Sequence, residues 1–93
     1  MNSQPNLNQD DQAQEKQKAF LKKARQGLLN YLLEQGGRLT LDEMHDYSFK
    51  KFFIQHQGFS RMMETLVNEG LVEYDYLTQT VNLTDAGKNF VSQ

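Results

Sequence analysis

The chain has no cysteine and no tryptophan, and Pro5 is its one proline. Without cysteine there is no disulfide framework and no thiolate metal site, and the composition suits a reducing cytosol, so a cytoplasmic protein is expected. No apolar run approaches the roughly eighteen residues that a membrane-spanning helix needs, so no membrane role is expected. Residues 1–14 are polar and lack the apolar stretch of a secretory signal. Catalytic signatures are missing as well. There is no Ser-His-Asp arrangement, nucleophile elbow or phosphate loop, and Gly36-Gly37 lacks the context of a phosphate cradle. His45 and His56 stand eleven apart with no cysteine between them, which matches no zinc spacing. The expectation is a protein with no enzymatic activity, no cofactor and no metal.

Ninety-three residues make one domain with a small core. Its net charge of −2 is unevenly spread. Residues 1–35 carry five basic and four acidic side chains, whereas residues 36–93 carry five basic and eight acidic ones, a local balance of −3. Affinity for nucleic acid rests on neutralising phosphates. The acidic balance therefore narrows any such role to a local basic patch.

Residues 1–10 are rich in Asn and Gln with almost nothing to bury, and are expected to form a disordered polar tail. Residues 11–93 are expected to form the domain. From Asp11 to Gln35 the spacing of Phe20, Ala24, Leu28, Tyr31 and Leu32 predicts a long helix, widened on its apolar side by Leu21, Leu29 and Leu33. Gly27 inside it suggests close approach by another helix, and Gly36-Gly37 ends it. Thr40 and Glu43 form a capping box, with Leu39 and Met44 as its hydrophobic staple, and Arg38 to Leu41 can be a short first strand. Phe49, Phe52 and Phe53 predict a second helical piece after Ser48 with its phenylalanines in the core, and Gln55 to Gly58 reads as a turn. Ser60 reads as the cap of the next helix. Its inward stripe is Phe59, Met63, Leu66 and Val67, with Met62 at the border. Gly70 suits the C′ position of a Schellman ending with Leu71 at C″ against Leu66. Val72, Tyr74 and Tyr76 alternate with acids in one strand, Val81 and Leu83 mark its partner, and Leu77 to Gln79 is the tip. Thr84 caps a last short helix with Ala86 and Phe90 facing inward.

This order resembles the winged helix-turn-helix domains of small bacterial transcription regulators. The resemblance is carried by Leu39-Thr40-Leu41-Asp42-Glu43-Met44, by the run Met63 to Val72, and by Leu83-Thr84-Asp85-Ala86-Gly87-Lys88. In that family the recognition helix commonly ends in leucine, two acidic or polar residues, glycine, leucine and valine. The step after the wing commonly reads leucine, threonine, two variable residues, glycine and a basic residue. The likeness covers about residues 15–91 and implies an α+β, mostly α fold with a long N-terminal helix and a C-terminal β-hairpin wing. Two departures stand out. The span from Thr40 to Ser60 exceeds the usual one, so an extra turn or short helix is expected around Ser48 to Gln57. The wing from Tyr74 to Thr80 has no Lys or Arg.

The resemblance implies that the Ser60 helix enters the major groove of double-stranded DNA. Arg61, Glu64, Thr65 and Asn68 fall at spacings that share one outward face. Arg61 is the expected base reader, because its fork matches guanine O6 and N7. Asn68 can pair with adenine, Ser60 and Thr65 can touch a base or phosphate, and Lys50, Lys51 and His56 can meet the backbone. Two-fold regulators need a pairing element, so a homodimer through the long N-terminal helix is expected. The alternative is a winged-helix protein-interaction module that binds no DNA and meets a protein partner at the tyrosine-bearing wing.

Overall fold

A computed structural model describes residues 3–92, and the side chains of residues 15–92. Four helices and three strands follow in the order α1 (Ser3–Glu34), β1 (Arg38–Thr40), α2 (Leu41–Phe52), α3 (His56–Asn68), β2 (Val72–Asp75), β3 (Thr80–Leu83) and α4 (Asp85–Val91). The strands form one antiparallel sheet in the order β1-β3-β2. Leu39 lies opposite Val81, and Val72 opposite Leu83. This is the winged helix-turn-helix architecture that the sequence motifs imply, with β2 and β3 as the wing.

The capping box at Thr40 forms in full. The Glu43 amide donates to Thr40 Oγ1 at 3.1 Å, and the Thr40 amide donates to Glu43 Oε1 at 3.1 Å. This satisfies two donors that a helix start otherwise leaves bare. Leu39 and Met44, on either side of the box, both lie in the core. The Schellman ending of α3 also forms. Gly70 takes φ +75°, a conformation that costs a side-chain-bearing residue energy. The Gly70 amide reaches Val67 O at 3.0 Å, and the Leu71 amide reaches Leu66 O at 3.0 Å.

The core gathers Leu28, Leu29 and Leu32 of α1, Met44 of α2, Phe59 and Leu66 of α3, and Val72 and Val81 of the sheet. Full burial of one such leucine stabilises by roughly 1.5–3 kcal/mol, so three on α1 fix that helix to the domain. The approach expected at Gly27 is made by Phe52 of α2. A Cβ on Gly27 would stand 2.5 Å from Phe52 Cζ. Tyr47 stacks on Tyr31 at 3.8 Å between ring centres, and burial, then Glu34 and Tyr31, push its hydroxyl above the usual tyrosine range.

α1 spans 32 residues, about 48 Å at 1.5 Å per residue, in a molecule 27 Å and 22 Å across its shorter axes. Its described side chains are exposed as far as Lys23, and burial begins at Ala24. Residues 1–10, expected as a tail, lie partly outside the described residues and partly on the first turns of α1.

Several local expectations need correction. No second helical piece begins after Ser48. α2 continues unbroken to Phe52, and Ser48 is buried inside it with its hydroxyl donating to His45 O at 2.8 Å. The extra length between Thr40 and Ser60 is taken up by longer helices rather than by an inserted one. Phe53 ends α2 in a left-handed conformation, φ 59°, and turns the chain at once. Ile54 drops into the core, and α3 begins at His56. Gln55 is therefore the cap, and Ser60 lies a turn inside the helix. Phe49 is exposed because helical spacing places it away from the Met44 and Ser48 side that α2 buries, and Phe53 is exposed past the end of the helix. On α3, Val67 is exposed and Met62 is buried, and on α4 Gly87 rather than Ala86 faces inward.

Candidate nucleic-acid interface

Burial of Phe59, Met62, Met63 and Leu66 turns the opposite side of α3 to solvent. That side carries Gln57, Ser60, Arg61, Glu64, Thr65 and Asn68, all exposed. The α3 residues expected at a DNA contact are thus brought together. Their states differ, however. Arg61 takes part in no ion pair among the described residues, where the pairs found are Arg25 with Glu69 and Lys50 with Asp46. Thr65 has its hydroxyl engaged, donating to Arg61 O at 3.0 Å within the helix. Gln57 belongs to this face because α3 already begins at His56, where the sequence alone suggests a turn over Gln55–Gly58. A helix begun at His56 places Gln57 four residues ahead of Arg61, on the same face.

The two lysines do not form one patch. Neighbours on a helix point about 100° apart. Lys50 pairs with Asp46 at 3.0 Å, while Lys51 stands exposed with no partner among the described residues. Lys50 therefore meets a phosphate with the Asp46 carboxylate already beside it.

Arg25 of α1 holds the far end of α3, reaching Glu69 Oε1 at 2.6 Å and lying 4.9 Å above the centre of the Phe90 ring of α4. α3 is thereby tied to the long helix and to the C-terminal one.

Between α3, the start of α2 and β2 runs an open groove of about 420 Å³. Phe59, Met63 and Val67 of α3 face Tyr74 and Tyr76 of the wing across it. The two tyrosine rings meet edge to face at 4.7 Å. Asp42 and His45 of α2 and His56 and Glu64 of α3 complete much of the lining, and no Lys or Arg belongs to it. His45 sits 5.4 Å from His56 and 4.9 Å from Phe59 between ring centres, and its Nε2 is buried without a hydrogen-bond partner. Ser60 and Asn68 face the groove, whereas Arg61 and Thr65 do not line it.

The wing itself is uncharged at its tip and acidic at its base. Tyr76 and Leu77 are 83% and 97% exposed. Asp75 accepts the amides of Leu77 and Thr78 at 2.9 and 3.3 Å, and these two bonds hold its carboxyl below the usual carboxylate range. Among the described residues, no group of three or more His, Cys, Asp or Glu side chains is placed to hold a metal, and no helix is long and apolar enough to cross a membrane.

No protein-family model and no curated protein matches the chain by sequence. Among solved structures, it is similar to "F93 from STIV, a winged-helix DNA-binding protein", with a TM-score of 0.58. The match covers 81% of this chain and 79% of that one at 16% identity. At that identity the likeness establishes the winged-helix fold.

Proposed function

We propose that the protein binds double-stranded DNA through the exposed face of α3 and regulates transcription as a homodimer. The observation that carries this reading is Arg61, which stands free of any ion pair among the described residues on a polar helix face beside a β-hairpin wing. A helix held in this way presents its side chains to the major groove. Arg61 reads a base, Gln57, Ser60 and Asn68 supply neighbouring polar contacts, and Lys51 is the better phosphate ligand of the lysine pair. Thr65 contributes little, since its hydroxyl already serves the helix. Dimerisation through α1 draws support from Leu21, 41% exposed, and from Phe20, which stays 45% exposed although its ring meets Phe52 edge-on.

Fluorescence anisotropy on duplex DNA at low and moderate salt tests the reading. Arg61→Ala is expected to weaken binding by about 1–3 kcal/mol. Lys51→Ala should lower the salt slope by about 0.9 if the lysine neutralises one phosphate. Absence of binding at micromolar protein in low salt overturns the proposal, and a monomeric mass by light scattering overturns its dimer.

A second reading, a module that meets a protein through the wing, is favoured by the exposed Tyr76 and Leu77 and by the absence of any cation on the hairpin. Tyrosine suits protein contacts better than phosphate contacts. Salt-sensitive DNA binding that survives a Tyr76→Ala, Leu77→Ala double change decides for DNA.

A further inference from the structure

We propose that the groove between α2, α3 and β2 is a binding site for a bulky aromatic organic cation. Its volume, about 420 Å³, lies in the range of small-molecule sites. Tyr74 and Tyr76 supply an aromatic wall on the wing side, and the helix side is apolar, with Met63 and Val67 beside the buried Phe59. Ring faces carry negative electrostatic potential and attract a cation laid over them. Two carboxylates join them from different elements, Asp42 of α2 and Glu64 of α3. Neither is in an ion pair among the described residues, and no Lys or Arg lines the groove to neutralise them.

This combination selects by charge. A neutral aromatic molecule would gain the apolar contacts alone. A cation gains them together with attraction to two carboxylates, both on exposed residues of the lining. An anion of the same shape meets repulsion from both. The groove is accordingly a poor seat for a phosphate. Ser60 and Asn68 offer a polar edge to a ligand with hydrogen-bonding substituents.

The test uses two ions of matched shape and opposite sign, tetraphenylphosphonium and tetraphenylborate. Each is titrated into the full-length protein without DNA and followed by NMR. The phosphonium should produce saturable shifts at Tyr74, Tyr76 and His56 and bind at least tenfold more tightly than the borate. Asp42→Asn with Glu64→Gln should weaken it tenfold or more, with circular dichroism confirming that the fold is kept. Glu73→Gln, which removes an exposed carboxylate outside the groove, should leave the affinity within twofold. Tyr76→Ala should weaken the phosphonium as an independent check. Equal affinity for both ions, shifts centred elsewhere, no binding of either ion, or an equal loss in Glu73→Gln would each overturn the proposal. Because DNA is absent, the outcome is separate from that of the DNA assay.

Discussion

Arg25 Nη2 lies 2.6 Å from Glu69 Oε1, which joins the long helix α1 to the residue that caps α3. The two side chains are 26% and 41% exposed, so solvent screens the pair and its direct contribution stays below about 1 kcal/mol. Arg25 also covers the Phe90 ring, a contact of roughly 0.5–1 kcal/mol. Arg25→Ala is therefore expected to cost about 1 kcal/mol and Glu69→Ala about half of that, measured by urea unfolding. Equal losses would show that the Phe90 contact contributes nothing.

Gly87 faces the backbone of the chain that leaves α3. A Cβ there would collide with the carbonyl oxygen of Leu71 and stand 2.6 Å from Leu83 Cδ1. Backbone cannot swing aside as a side chain can, and overpacking of this kind costs about 1–3 kcal/mol. Gly87→Ala should lower stability by that amount in thermal or urea unfolding, although alanine is the better helix former. A neutral effect would mean that α4 shifts freely.

Phe53 is a phenylalanine held at φ 59° with its side chain 80% exposed. Left-handed backbone costs an L-residue roughly 1–2 kcal/mol, and the exposed ring returns little through packing. Phe53→Gly is expected to stabilise the domain by about 0.5–1 kcal/mol, after allowance for glycine's greater freedom in the unfolded chain. A loss of stability would show that the ring packs more than its exposure indicates.

Asp75 organises the wing tip. Its carboxyl is held below the usual range by the Leu77 and Thr78 amides. A group depressed in the folded state contributes at a pH above its unfolded value, near 3.9, and the contribution fades as pH falls through the lower folded value. The amides of Leu77 and Thr78 should therefore keep their NMR shifts from neutral pH to about pH 4 and lose them below it. Asp75→Asn should abolish that acid transition.

The fold was legible where local chemistry acts alone. Thr40 with Glu43, and Gly70 with Leu66 and Leu71, satisfy helix ends through residues a few positions apart. Strand alternation marked Val72, Val81 and Leu83 for the same reason. Reading failed between Ser48 and Ser60. Phe49, Phe52 and Phe53 suggest one apolar cluster, yet only Phe52 finds a seat, against Gly27 some twenty-five positions earlier. Ser60 has the chemistry of a cap, but the buried Ile54 and Phe59 set the start of α3, and the cap falls to Gln55. The shared face of Arg61, Glu64, Thr65 and Asn68 was readable from spacing alone. The engagement of Thr65, the pairing of Lys50 with Asp46 and the addition of Gln57 were not.

The sequence by itself determined the order of elements, the caps that bound several of them and the acidic balance of the domain, because each depends on neighbours along the chain or on composition. Only the tertiary structure decided which charges stand free and which are paired. It also brought Asp42, Glu64 and the wing tyrosines around one groove, since residues from three separate elements meet only when the sheet and helices pack on a common core.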